Sequence, residues 1–293
     1  LARLPFILHG TLRVVCRRVC TLVSSESFRK ERLETGFAEW GVVVAGGLRG
    51  STRLAESWLL MGEQWWPIAS MSHARFDSCS VVIENELWVI GGRAEDGRYL
   101  ASVEIYSPHT NTWRPLPLDM NKRRPMAACG VVGGSMVVAG GFAGGYILSA
   151  ESYRGVQTGW VSLPDMPVAA WGAMACVLGG RLYVAGGSDG GSHGRDRMQM
   201  WNGTRWEFKA NLPEAKVGAA CVATTNGKLM LIGGKIGRLS GASGTSSVNL
   251  YDPMTDSWAD GVPLPAPRCG CEAVEHAGTI VLVGGGGPVL QFR

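Results

Sequence analysis

No uncharged apolar run reaches about 18 residues anywhere in this 293-residue chain, which argues against a membrane-spanning helix. The apolar opening LPFILHGTLRVV has neither the charged flank nor the small-residue cleavage site of a signal peptide. The first residue is Leu1 rather than Met, as expected for a piece of a longer protein. Charge of one sign is also missing from most of the chain. Residues 1–35 hold seven Lys or Arg against three Glu, so the overall +4 leaves 21 basic and 21 acidic side chains beyond them. A body that neutral does not support a nucleic-acid-binding surface. Histidine is scarce, and His9, His73, His109, His193 and His276 have no second ligand at metal spacing. The eight cysteines lack zinc spacing: Cys16 and Cys20 sit four apart, and Cys269 and Cys271 alternate.

Glycine and tryptophan are plentiful instead, at 42 and 11 residues. Six apolar runs end in a glycine pair: GVVVAGG, ELWVIGG, SMVVAGG, RLYVAGG, KLMLIGG and TIVLVGG, whose first glycines are Gly46, Gly91, Gly140, Gly186, Gly233 and Gly284. A second landmark keeps step with them. Tyr106 precedes Trp113 by seven residues, as Tyr153 does Trp160 and Tyr251 does Trp258; Trp58 and Trp65 substitute in the first unit, and a shortened fourth unit ends at Trp206. Each unit reads as four short strands separated by turns. A four-stranded unit repeating every 45–51 residues suits a propeller, whose blades bury their faces against one another.

Glycine pair, then Tyr, then Trp at this period resembles the kelch repeat, and the resemblance covers residues 38–293. It implies an all-β kelch β-propeller of six blades with an incomplete last blade. Blade 1 has no first strand immediately before EWGVVVAGG, and blade 6 has only CEAVEH, TIVLVGG and a short PVLQFR, so three strands are expected in each. The missing pair is expected from sequence beyond Arg293, with the weakest hydrogen bonding between blades 6 and 1. Cys79, Cys129, Cys176 and Cys221 read as one column in the first strands, held apart by the blade spacing. That implies buried reduced thiols and a cytoplasmic or nuclear protein.

Kelch folds include enzymes, but no cluster of Asp, Glu, His, Cys or Tyr here marks a metal or cofactor site. No catalytic residue, metal or cofactor is expected, and the glycine-rich loops are not followed by a helix that would make them phosphate sites. A binding face is the stronger reading. In such propellers the loops between second and third strands open on the same face as the lead-ins to the first strands. Those loops carry Arg49, Arg93 and Lys235; the lead-ins carry Arg75, Arg124, Trp171, Lys216 and Arg268, one column basic in four of five copies. Basic residues around the central opening suit a target protein presenting an acidic or phosphorylated peptide.

The opening 40 residues read differently. Leu12, Val15, Cys16, Val19, Leu22 and Val23 are spaced as one face of a basic amphipathic helix, with Arg13, Arg17 and Arg18 on the other side. LARLP, LRVVCRRV, LVSSESF and the following Arg32, Gly36 and Glu39 resemble the C-terminal part of an F-box, as in plant F-box/kelch proteins. The resemblance implies a short α-helical F-box remnant over 1–37 joined to the propeller over 38–293. It further implies docking on the adaptor of an SCF-type cullin-RING ubiquitin ligase through Leu4, Pro5 and Leu12, while the propeller holds the target.

Overall fold

The computed structural model describes residues 15–17, 40–61, 64–237, 243–276 and 278–292. All the regular structure in them is β. Five four-stranded antiparallel sheets and one three-stranded sheet form six blades. The first strands of successive blades lie side by side around a central axis, Cys79–Ile83, Ala128–Val132, Met174–Leu178, Ala220–Ala223 and Cys271–His276 for blades 2 to 6. Apolar layers between the sheets make up the core; Leu87, Val89 and Tyr106 of blade 2, for example, pack against Val43, Leu59 and Ile68 of blade 1.

Blade 1 departs from expectation. Its innermost strand is Val15–Arg17, paired antiparallel with Trp40–Val42. These residues belong to the stretch expected to be an amphipathic helix, and the remainder of that stretch lies outside the described residues. The apolar spacing suited a helix, but the free edge of Trp40–Ala45 supplies a ladder of backbone partners that an isolated helix would not satisfy. The β-branched Val15 agrees with the strand. Blade 1 thus has four strands. Among the described residues blade 6 has three, ending at Leu290–Phe292, as the sequence suggested. Cys271–His276 pairs with Thr279–Gly284, so these strands form a sixth blade. Val281 and Val283 pack against Val42, Val44 and Leu60, closing the ring through apolar contact.

Repeated residues join each blade to the next. The second glycine of a pair donates its N–H across the interface: Gly47 to the Arg75 carbonyl at 2.9 Å, Gly187 to that of Lys216 at 2.8 Å, Gly234 to that of Arg268 at 2.7 Å. The first glycine makes this approach possible. Gly91 has φ +61°, and a Cβ there would lie 2.6 Å from the Arg124 carbonyl oxygen, so no other residue fits. The Tyr–Trp landmark works from the outer side. Trp113, Trp160, Trp206 and Trp258 are half-buried, and each indole N–H donates to a backbone carbonyl of the preceding blade: Ala69, Leu118, Pro164 and Ala210, at 2.7–3.0 Å. Each ring tilts over the buried Tyr or Trp opposite it, with centroids 5.1–5.4 Å apart.

The cysteines do not form the single column expected. Counted from the left-handed residue that opens each blade (Asp77, Met126, Gly172 and Gly218), Cys79 sits two positions on, Cys129 and Cys221 three, and Cys176 four. Those different registers let side chains of neighbouring blades face one another. Cys176 and Cys221 meet across the interface of blades 4 and 5, with their sulfurs 3.0 Å apart.

Candidate functional site

The basic column is a set of internal clamps. Arg75, Arg124 and Lys216 are no more than 1 % exposed. Arg124 donates from Nε to Glu151 Oε1 at 2.7 Å, from Nη1 to the carbonyls of Gly140 and Ser149 at 2.9 and 2.7 Å, and from Nη2 to Ser149 Oγ. Arg75 repeats the pattern with Glu104, Gly91 and Ser102 of its own blade. Lys216 reaches Ser247 Oγ at 2.7 Å and Asn249 Oδ1. Burial pulls the Arg75 guanidinium and the Lys216 ammonium below their ordinary pKa ranges, while Glu104 and Glu214 respectively oppose it. These three were expected at a ligand-binding rim; instead each is turned into its own blade, with terminal nitrogen donors on that blade's second and third strands, although the Arg75 Nε–H has no partner there.

Two further residues of the column are corrected by their partners. Gly141 donates to the Ala170 carbonyl, so Ala170, not Trp171, holds the clamp position of blade 4. The third-strand partner there is neutral: Gln199 satisfies both the N–H and the carbonyl of Val168. In blade 6, Arg268 keeps the contact to its glycine pair, donating to the Gly284 carbonyl at 3.2 Å, but the partner position is Leu290, and no carboxylate pairs with it among the described residues. Burial therefore lowers its pKa with only the Cys271 thiol opposing. The sequence did carry the distinguishing signal. VEIY, AESY, MQMW and VNLY hold a carboxylate or amide side chain at the same place in a buried strand, namely Glu104, Glu151, Gln199 and Asn249, and all four are buried. A repeated polar residue on a core strand requires an internal partner.

With the column removed, a different site appears on the same face. Residues two beyond the clamp position all have left-handed backbone, and they are joined across the blades by a chain of hydrogen bonds. The chain runs from Met126 N–H to the Asp77 carbonyl (2.7 Å), Gly172 to Met126 (3.2 Å), Gly218 to Gly172 (3.0 Å) and Gly270 to Gly218 (2.8 Å). This arc frames the mouth of a central cavity of about 260 Å³. Its wall is mostly small and apolar, including Ala127, Ala173, Ala175, Val217 and Ala219, with Asp77, Glu272, Lys235 and Trp171 as polar points. The indole N–H of Trp171 is buried and has no hydrogen-bond partner.

An arginine–aromatic ladder leads away from the mouth over blades 1 to 3. The Arg53 guanidinium lies 5.1 Å from the Phe76 ring centroid, and that of Arg93 lies 5.7 Å from Phe76 and 5.3 Å from Tyr99. Tyr99 meets Phe142 edge-on at 6.2 Å, and Phe142 meets Tyr146 at 5.2 Å. Tyr146 is 42 % exposed, and the other members are half-buried. Arg93 Nε also pairs with Asp77 Oδ2 at 3.2 Å; burial nevertheless pushes the Asp77 carboxyl up to about 6, with Arg93 acting in the opposite direction. The remaining loop charges are mostly matched locally, Arg49 with Glu56 and Arg195 with Asp189, each at 2.6 Å. Lys235, exposed at the mouth, has no such ion pair among the described residues.

The structure thus brings Arg49, Arg93, Trp171 and Lys235 to the loop face, and it withdraws Arg75, Arg124, Lys216 and Arg268 into the blades. Phe76, Tyr99, Phe142 and Tyr146 went unread as site residues. Their signal was position: aromatic residues in loop segments such as GFAGGY, where the repeat itself requires none. No group of three or more His, Cys, Asp or Glu side chains among the described residues is placed to hold a metal ion. Leu4, Pro5 and Leu12 lie outside the described residues.

Sheet order, glycine pairs and interblade bonds together define a six-bladed β-propeller of repeated units. The Kelch motif matches residues 74–117 and 218–265. Among curated proteins, Kelch-like protein 15 of Danio rerio is 29% identical over 245 residues, covering 75% of this chain and 40% of that protein. Kelch-like protein 23 of Homo sapiens is 30% identical over 205 residues, covering 68% and 35%. The chain therefore spans about two fifths of the length of the curated relatives it matches. A solved structure, described as "Structure of YjhT", superposes with a TM-score of 0.70 at 16% identity, over 86% of this chain and 92% of that one, and shares the fold. The protein is a kelch-repeat β-propeller with kelch-like proteins among its homologues.

Proposed function

We propose that the propeller is a protein-recognition module that presents a target to a cullin-RING ubiquitin ligase, working in the cytoplasm or nucleus without catalytic chemistry of its own. The observation that carries the recognition half is the ladder from Arg53 to Tyr146 beside the central cavity. Arginine and aromatic side chains concentrate binding energy at protein interfaces, and here they sit on loops held by a rigid ring. With most loop charges matched, the face favours a segment offering apolar, aromatic or amide groups, with an acceptor for Trp171, over a strongly acidic peptide. The ligase half rests on the likeness of the opening residues to an F-box, with Leu4, Pro5 and Leu12 as the adaptor contacts. The pairing of Val15–Arg17 with blade 1 favours a second reading, a kelch scaffold that assembles proteins with no ligase link. Purifying the full-length protein from cells with and without proteasome inhibition separates the two. Adaptor and cullin in the purified complex, together with a target that accumulates under inhibition, support the ligase role. A stable target complex lacking both establishes the scaffold.

A further inference from the structure

The thiols of Cys176 and Cys221 are placed for chemistry that the binding role does not use. Both are at most 5 % exposed and lie in one apolar cluster with Met174, Leu231 and Tyr251. Each sits on a first strand pinned by its own blade: Cys176 opposite Tyr183, and Cys221 opposite Leu231. Two fixed strands thus hold the sulfurs 3.0 Å apart. A disulfide needs about 2.05 Å, so closure asks for about 1 Å of approach, within the reach of small side-chain rotations. The other buried thiols with a recorded contact face carbonyls: Cys129 Sγ lies 3.3 Å from the Ser80 oxygen, and Cys271 Sγ 3.8 Å from that of Ile232. The Cys271 thiol is also pushed up to about 12 by burial, which keeps it un-ionised and unreactive.

We propose that Cys176 and Cys221 are a reversible redox pair, closed to an interblade disulfide by peroxide in the folded protein. One thiol loses its proton and attacks a peroxide oxygen; the O–O bond breaks, leaving a sulfenic acid and, with that proton, water. The second thiol attacks the sulfenic sulfur; the S–O bond breaks, and the departing hydroxide takes the second proton as water. Two thiols give up two electrons, and one peroxide becomes two waters. The resulting bond ties blade 4 to blade 5 just below the cavity wall formed by Met174, Ala175 and Ala219.

The test uses the intact chain. It is treated with hydrogen peroxide while folded, then denatured, alkylated and mapped by mass spectrometry. The expected product is one linked peptide pair containing Cys176 and Cys221, lighter by two hydrogens and separated again by dithiothreitol, with Cys79, Cys129 and Cys271 alkylated. Full alkylation of both residues, or links spread evenly over all the cysteines, overturns the proposal. In Cys221→Ala the oxidised Cys176 has no partner and should be trapped by dimedone as a sulfenic acid; a disulfide from Cys176 to another cysteine of the chain would contradict the assignment. Should that variant fail to fold, the peptide map of the unsubstituted chain decides alone.

Discussion

Replacing Arg124 with alanine strips one blade of a cation that reaches four acceptors. The Glu151 carboxylate, 1 % exposed, is left with the Asn121 N–H at 2.8 Å as its remaining recorded donor. The carbonyls of Gly140 and Ser149 lose their side-chain donor as well. Breaking a buried ion pair from one side costs about 3–5 kcal/mol, because the surviving charge stays desolvated. For a chain of this size that corresponds to a fall of about 5–8 °C in Tm. Equilibrium unfolding in urea measures it directly, with Glu151→Gln as the variant that keeps the shape and removes the charge. Blade 5 supplies a rescue, since Lys216 and Asn249 fill the same two positions there. Arg124→Lys combined with Glu151→Asn should recover at least half of the loss, and a double-mutant cycle should show coupling above about 1 kcal/mol. If Arg124→Ala unfolds within about 1 kcal/mol of the parent while losing affinity for a target, the clamp is wrong and Arg124 is a ligand residue after all.

Arg268 should behave in the opposite way: it is a buried cation without a carboxylate among the described residues, so Arg268→Met should leave stability unchanged or raise it, and a loss above about 2 kcal/mol in the same assay would refute this. Asp77 gives a pH signature. Its folded-state carboxyl titrates near 6, above the ordinary value of 3.8, so the stability that its protonated form contributes is complete in acid and is lost as pH rises toward 6. Asp77→Asn, which tolerates the φ of 56° found there, should remove roughly 1–2 kcal/mol of slope between about pH 4 and 6; parallel stability curves for the two proteins would rule it out. Trp160→Phe keeps the ring and loses the bond to the Leu118 carbonyl, which should cost about 1–2 kcal/mol, read by thermal denaturation; no change would mean the interblade indole bonds hold nothing.

The propeller was legible because its markers are backbone requirements repeated six times. A glycine must recur wherever an added Cβ would fall about 2.6 Å from a carbonyl of the next blade's lead-in, as at Gly91 against Arg124. The basic column was legible as a column and misread as a surface, since a lead-in residue looks alike whether its side chain turns outward or back into its blade. Only the matching polar residue in the third strand, Glu151 for Arg124, tells the two apart, and it lies 27 residues away. The strand at Val15–Arg17 pairs with residues more than twenty positions on and is three residues long, too short for any periodicity to declare it against a helical pattern. The ladder was hidden for another reason: Phe76, Tyr99, Phe142 and Tyr146 come from three separate loop segments that only the closed ring assembles.

The central claim is that partners are held on the face bearing that ladder. Once a target has been captured by the full-length protein, hydrogen–deuterium exchange of the free and bound propeller locates the contact directly. Protection concentrated at residues 93–99, 142–148 and 188–195 is the predicted result. Protection confined to the turns of the opposite face, at 133–135, 154–156 and 203–205, would contradict it.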